Sequence, residues 1–504
     1  MLSGVKIKFD PFNYLLWLII GLIIKVIVIA FLYSNLGLFK SNNGYYFLFG
    51  GDAPMYLKTT FNIINHNIYA LYGDPQNGFK LYTGRMPGYE VALVIFNSFL
   101  NPTLALYAVI ITQILFSVIS TYCLALIAKS VFKSNLVFYI AFFLYALNTY
   151  ITVFDVSILT ESLAISTFII SFYLIIKPHK NLSSNLLAGV LLCWSIFMRQ
   201  YIAPFFFLFV LYIILHEYLA NKGNFKNLAI ATLSFTLPFL IADLVWITRN
   251  YVEKEKFIPL VDDLHAGYEY PQRFKSLMSF VQAWGGDLVH WNPKAEITPF
   301  INSGISHLNK SYNDINSLPD YIYTSQYNLD SLKLLQKHYR QLDLDVLPTA
   351  EKKELNSRVI SSLTSYEQSF KDEKPLYYFF FARFRLLYKF VVHSGTYNIS
   401  DKPLSEQNLI QKLFKGFYTF LYWCTLLGGL AGTVVMLKKG KNVEILLVII
   451  SAYYMLLLCP FVLRRIEYRY FVLSYAFLTL IFSYFIKKII SKYWTYFNKQ
   501  DLQR

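Results

Sequence analysis

An all-α polytopic membrane protein is the fold class this sequence predicts, and three observations carry the prediction. Hydrophobic residues make up 56% of the 504 residues and charged residues 15%, against about 25% charged in an ordinary globular chain. A soluble fold has too little polar surface to cover so much apolar area. The apolar residues also fall in blocks of roughly 17 to 25, the length that crosses about 30 Å of hydrocarbon at 1.5 Å per residue. Lysines flank these blocks at alternate loops, the pattern of the positive-inside rule.

Taken in order, the blocks predict about ten spanning helices, at residues 11–33, 103–127, 135–154, 158–176, 186–200, 201–217, 227–248, 412–437, 443–462 and 470–486. The first block is too long for a signal-peptide core and no small-residue cleavage site follows it, so it is expected to remain as an anchor. The pair around Arg199 is short and fits a broken or strongly tilted hairpin.

Lys6 and Lys8, Lys129 and Lys133, Lys177 and Lys180, Lys222 and Lys226, then Lys438, Lys439 and Lys441, and finally Lys487, Lys488 and Lys492 all fall on one side of this arrangement. That side is the cytoplasm by the positive-inside rule. The expected location is the inner (plasma) membrane, multi-pass, with both termini cytoplasmic and two large loops, 34–102 and 249–411, on the extracytoplasmic (periplasmic) side. The domain organisation follows: 1–248 as an N-terminal transmembrane module with its first outer loop, 249–411 as an extracytoplasmic loop subdomain, and 412–504 as C-terminal transmembrane helices. The apolar stretch 87–100 is too short to span and is expected to be an interfacial helix. A clear helix is expected over 350–371. Residues 374–392 mix Tyr, Phe and Leu with Arg383, Arg385 and Lys389 at helical spacing and read as a second interfacial helix.

Several function classes are excluded. A net charge of +16 suggests nucleic acid at first sight, yet the cations sit beside apolar blocks rather than interleaving with a soluble aromatic platform, so no nucleic-acid partner is expected. Cys123, Cys193, Cys424 and Cys459 lie in or beside apolar segments without zinc spacing and read as small core residues. No phosphate-cradling glycine loop or sugar-nucleotide motif is present, which disfavours an ATP-driven pump or a cytosolic nucleotide-sugar enzyme.

Exceptions to the lysine pattern locate the chemistry. Arg199, Arg249, Arg464, Arg465 and Arg469 lie on the outer side, where short loops should be poor in positive charge. Arginine suits bidentate binding of phosphate; headgroup anchoring and pairing with nearby carboxylates are the bland alternatives. Asp52 follows Gly50 and Gly51 just beyond the first span, and Glu161 sits at the outer mouth of the fourth, six residues after Asp155. An acidic residue at a membrane boundary marks a site or an ion pair, because a buried charge without a partner is costly. Lys25 and Asp243 lie nearer mid-membrane, and a pair between them accounts for both.

Local motifs sharpen this reading. Gly51-Asp52-Ala53-Pro54-Met55-Tyr56, followed by Arg85-Met86-Pro87-Gly88-Tyr89, resembles the first outer loop of GT-C membrane glycosyltransferases, in the family 39-like branch that includes protein O-mannosyltransferases and the lipid A aminoarabinose transferase. Leu159-Thr160-Glu161-Ser162-Leu163 resembles the second acidic segment of that family. Trp246-Ile247-Thr248-Arg249-Asn250-Tyr251 with Phe257-Ile258-Pro259 resembles its Trp-x-x-Arg-Asn-Tyr and Phe-Val-Pro pattern, and Glu467-Tyr468-Arg469-Tyr470-Phe471 its Glu-x-Arg-Tyr segment. Asp52 lacks the second acidic neighbour seen in many relatives, and 266–366 matches no pattern of the family.

The resemblance implies a GT-C-like fold and a glycosyltransferase that takes a hexose or pentose from a polyprenyl-phosphate sugar donor and passes it to a lipid, glycan or protein acceptor, with inversion. It implies Asp52 as general base and Glu161 as a second carboxylate, with Tyr56, Arg85, Arg199, Arg249, Arg383, Arg385 and Arg469 as contacts to phosphate or sugar. A divalent metal is compatible with two outer carboxylates, although no ligand set can be named. The competing class is a transporter or flippase of lipid-linked saccharides. Against it, transporters commonly show paired halves, whereas this chain reads as seven helices, a large loop and three more helices.

Overall fold

The computed structural model describes residues 10–501 apart from 12, 36–46, 49–50, 77, 178–180, 221–223, 263–270, 290–294, 302–313, 344–347, 394, 396–401 and 439–441. Gly50 and the lysines at 6, 8, 180, 222, 439 and 441 lie outside the described residues. In chain order the elements are α1 (Tyr14–Asn35), α2 (Ala53–His66), β1 (Ala70–Asp74), β2 (Gly78–Leu81), α3 (Gly88–Asn97), α4 (Pro102–Phe132), α5 (Asn135–Ala146), α6 (Thr149–Asp155), α7 (Glu161–Ile176), α8 (Leu182–Met198), α9 (Pro204–Ala220) and α10 (Phe225–Lys254). They continue with α11 (Gln272–Ala283), α12 (Leu329–Asp343), α13 (Thr349–Glu373), α14 (Ala382–Val392), α15 (Leu409–Leu437), α16 (Val443–Leu457) and α17 (Phe471–Asp501).

Among the described residues, seven helical stretches are long and apolar enough to cross a membrane: Tyr14–Ser34, Pro102–Phe132, Gln200–Leu219, Phe225–Lys254, Leu409–Leu437, Val443–Val462 and Tyr468–Tyr493. An eighth arises if α5 and α6, bent by 58°, count as one span. The chain is thus an all-α polytopic membrane protein. Every apolar block read from the sequence lies on a helix, but α7 and α8 have only 16 and 17 residues. The span expected over 135–154 is this pair, which carries a break between its two helices. The cause of the break is Asn148, whose extended backbone interrupts the helix and whose side chain caps α6 by accepting the Tyr150 N–H at 2.8 Å.

Contacts divide the chain into two units. The first comprises Met1–Gly267, Ser394–Ala452 and Val472–Arg504, the second Tyr268–His393 and Tyr453–Phe471. In the first unit α7 packs between α4 and α8, and α8 against α10. Burial follows that layout: nearly all of α7 is buried, whereas the apolar window of α10 is 17% buried and presents leucines outward, as lipid contact requires. α15 lies against α17 so closely that a side chain at Gly428 or Gly432 would meet Phe482 or Ile481, the small-residue packing of membrane helices.

Lys25 does not pair with Asp243. Its ammonium lies 2.8 Å from Asp155 and donates to Thr152 at 3.0 Å. Asp155 also accepts from Ser117 at 2.9 Å and Ser162 at 2.7 Å, so every partner of this buried pair comes from the helices around it. Asp243 instead accepts the Leu260 N–H at 3.2 Å. The rotation of α1 decides the difference: Lys25 is wholly buried on the face that packs toward α6.

The second unit has its own core, in which Phe280, Trp284, Tyr327, Leu363 and Phe370 meet between α11, α12 and α13. The helix expected over 350–371 is α13. The stretch 374–392 is helical too, opening with a π-turn at Tyr377–Phe381 and continuing as α14. Phe379, Phe380, Phe381 and Phe384 are exposed along it.

Candidate active site

Two pieces of backbone bring distant segments of the first unit together. Leu48 forms a parallel bridge with Ser157: its N–H donates to Val156 at 2.8 Å, and its carbonyl accepts from Ile158 at 2.9 Å. This fixes the chain just before Asp52 beside the chain just before Glu161. The other contact is Gly88. A Cβ there would stand 2.4 Å from the Phe197 carbonyl carbon, so only glycine lets the start of α3 lie on the end of α8. Trp194 closes the same contact by donating to the Gly88 carbonyl at 2.8 Å. The Arg85–Tyr89 motif is thereby pressed against the helix end that carries Arg199.

The charged side chains then pair. Arg85 Nη2 lies 3.2 Å from Asp52 Oδ1, with the two side chains 23% and 17% exposed. Arg199 Nη2 bonds Glu161 Oε1, and that pair is almost fully buried. Glu161 opens α7 and Arg199 follows the last residue of α8, so each charge also suits the dipole of its own helix end. Tyr56 joins the two pairs. Its ring lies under the Arg85 guanidinium at 5.0 Å and edge-on to Tyr89 at 5.0 Å. Burial pushes its hydroxyl up, opposed by Arg85 and Arg199 and reinforced by Asp52 and Glu161. All four charges therefore act on one phenol. Burial works against the charge of Arg85, yet Tyr56 and Asp52 outweigh it and hold the guanidinium above its ordinary range.

Glu90, which the sequence reading passed over, belongs to this cluster. It is buried, and its Oε1 accepts from Thr59 at 2.9 Å and Tyr69 at 3.2 Å. Burial pushes its carboxyl up to about 7, although the bonds from Thr59 and Tyr69 and the charge of Arg85 pull the other way. The available signal was an acidic residue directly after Arg-Met-Pro-Gly-Tyr in the first turn of an apolar helix. Tyr89 is anchored by donating to Gln113 at 2.8 Å, and Gln113 in turn donates to the Asp155 and Ser157 carbonyls at 3.1 and 2.9 Å.

Arg249 is engaged differently from the expectation. Its guanidinium donates to the Tyr82 and Tyr69 carbonyls, each at 2.9 Å, and to the Asn250 side chain at 2.8 Å, and it lies over the Trp246 ring at 5.1 Å. Asn250 donates to the Ile258 carbonyl at 3.1 Å and Trp246 to the Leu260 carbonyl. The Trp-x-x-Arg-Asn-Tyr and Phe-Ile-Pro segments thus form one knot that ties the end of α10 to the chain flanking the β1–β2 hairpin.

Arg383, Arg385 and Arg469 belong to the second unit. Arg383 bonds the Tyr378 carbonyl. Arg385 lies 3.0 Å from Glu296, which also pairs with Lys389; burial alone would raise the Glu296 carboxyl, but these cations hold it below the ordinary range. Arg469 Nε lies 2.9 Å from Glu467. Among the described residues no group of three His, Cys, Asp or Glu side chains is placed to hold a metal ion, and the carboxylates nearest the expected chemistry, Asp52 and Glu161, face guanidinium groups.

No protein-family model matches the chain, and no curated protein matches it. Solved structures similar to it include the archaeal oligosaccharyltransferase AglB from Archaeoglobus fulgidus in complex with an inhibitory peptide and a dolichol-phosphate, with TM-score 0.48, 14% identity and coverage of 98% of this chain and 52% of that one. The apo oligosaccharyltransferase of the same organism gives TM-score 0.46 at 14% identity, with 98% and 52% coverage. ArnT from Cupriavidus metallidurans bound to undecaprenyl phosphate gives 0.32 at 10% identity, with 93% and 77% coverage. AglB and ArnT are GT-C membrane glycosyltransferases, and this chain spans about half the length of the oligosaccharyltransferase. At these scores the likeness carries no argument about chemistry, and the functional reading rests on the side chains described above.

Proposed function

We propose that the chain is a glycosyltransferase that moves a sugar from a polyprenyl-phosphate donor to an acceptor at the extracytoplasmic face of the membrane. The observation that carries the reading is the convergence of two carboxylate–arginine pairs, Asp52–Arg85 and Glu161–Arg199, on Tyr56. Transfer from a lipid phosphate needs a base for the incoming hydroxyl or amine and a cation for the departing phosphate. This cluster holds both kinds of group, and Asp52 and Arg85 keep some exposure.

In this reading Asp52 takes the acceptor proton as the acceptor attacks the anomeric carbon. The bond from that carbon to the phosphate oxygen breaks, and polyprenyl phosphate leaves with the electron pair, its charge met by Arg85. Attack opposite the phosphate inverts the anomeric centre. Glu161, held by Arg199, orients sugar or acceptor. Arg249 serves by holding the hairpin segments that present Tyr82 and Arg85. Arg383, Arg385 and Arg469 stay proposed as phosphate contacts, to be tested singly, since each already has a partner in its own unit. In the same reading the acceptor is a lipid, glycan or protein, the chain lies in the inner (plasma) membrane and both termini are cytoplasmic.

The test uses the purified full chain in vesicles with a polyprenyl-phosphate sugar. Release of bare polyprenyl phosphate together with glycosylated acceptor supports the reading. Movement of intact donor between leaflets without release marks a flippase and overturns it.

A further inference from the structure

Between Tyr82 and Glu90 three buried polar atoms make no hydrogen bond among the described residues: the Tyr82 hydroxyl, Arg85 Nη1 and Glu90 Oε2. Native proteins leave only a few such atoms per hundred residues, so their crowding into one short segment calls for an explanation. Each side chain is held on its other side. Arg85 Nη2 faces Asp52 at 3.2 Å, and Glu90 Oε1 accepts from Thr59 and Tyr69. Tyr69 touches all three residues: its hydroxyl donates to the Arg85 carbonyl at 3.2 Å and to Glu90 at 3.2 Å, and its ring lies 5.7 Å from that of Tyr82. Tyr82 is 2% exposed and Glu90 1%, so these groups are fixed rather than free to turn toward bulk water.

The chemistry of the three open atoms defines what fits them. A guanidinium nitrogen only donates, a carboxyl oxygen accepts or, when protonated, donates, and a phenol does both. An anion seated among all three open atoms would meet Arg85 but face Glu90; a cation seated there would face Arg85. A neutral ring bearing adjacent hydroxyls can answer every one of these atoms, because each hydroxyl both donates and accepts. We propose that Tyr82, Arg85 and Glu90 form a subsite for a neutral polyhydroxylated ring, the sugar carried on the lipid phosphate. This rests on the reading of the chain as acting on a lipid-linked sugar.

The experiment measures binding of the full chain in nanodiscs to undecaprenyl phosphate, either bare or carrying mannose, glucose or arabinose. The wild type should prefer at least one sugar-bearing lipid over the bare one. Tyr82→Phe and Glu90→Leu should each weaken that lipid about tenfold, the effect of losing one hydrogen bond, and leave bare lipid phosphate unchanged within about twofold. Glu90→Gln, which keeps a polar atom in place of Oε2, should restore part of the loss. Equal losses for bare and sugar-bearing lipid, or no loss in either variant, would mean that ordered water satisfies these atoms and would overturn the subsite. A wild type that binds bare lipid phosphate but gains nothing from any sugar would overturn the subsite and leave the phosphate reading standing. Failure to bind either lipid would overturn the functional reading itself.

Discussion

Glu161 and Arg199 form a buried ion pair at the shared end of two antiparallel helices, one opening α7 and the other following α8. Removing one partner leaves the other charged and buried, which costs about 3 to 5 kcal/mol. Arg199→Leu should therefore lower the thermal midpoint sharply. The double variant Glu161→Leu/Arg199→Leu should recover much of that midpoint but not transfer activity, because Glu161 is assigned a role beyond stability. Recovery of transfer in the double variant would reduce the pair to a structural one.

A second pair should behave differently. Lys25 and Asp155 are enclosed by Thr152, Ser117 and Ser162, and no reacting group is assigned to them. Lys25→Met should destabilise by about 3 to 5 kcal/mol, read as loss of folded protein on size exclusion after heating. Lys25→Met/Asp155→Leu should restore stability and retain most transfer. Persistent loss of transfer in a stable double variant would show that this pair also positions Glu161.

Glu90 makes stability depend on pH. Its carboxyl stands at about 7 in the folded protein, against about 4.3 for an ordinary glutamate. Between those values the folded state keeps a proton that the unfolded chain has lost, so stability falls as pH rises through this window and stays lowered above it. At 1.36 kcal/mol per unit the effect is at most roughly 4 kcal/mol. Thermal midpoints of wild type and Glu90→Gln should coincide near pH 4.5 and diverge toward pH 8, with the variant higher. Parallel curves would remove Glu90 from the pH response.

Apolar block lengths made the membrane helices legible, because hydrocarbon thickness acts on short stretches of sequence. The motifs were legible as motifs: Gly88 is required where α3 meets α8, Asp52 lies against Arg85, and Glu161 lies against Arg199. Partner choice was not. The sequence paired Lys25 with Asp243, and helix rotation, a property of the packed bundle, selected Asp155 instead. Arg249 read as a phosphate or sugar contact, and its backbone engagement went unseen because its acceptors, the Tyr69 and Tyr82 carbonyls, are atoms that sequence does not mark. Glu90 was hidden for a related reason: its shift comes from burial, and a burial pattern in a ten-residue helix is too short to read.

The most direct test of the account is single-turnover transfer by purified Asp52→Asn with a polyprenyl-phosphate sugar. The substitution keeps the shape of the side chain and removes its basicity. Transfer should fall by about 10² to 10⁴, the usual contribution of a general base, while donor binding changes little because the arginines and the apolar tail hold the donor. Near-normal transfer in Asp52→Asn with loss in Glu161→Gln would move the base to Glu161. Near-normal transfer in both would contradict the account and leave the two carboxylates as ion-pair partners alone.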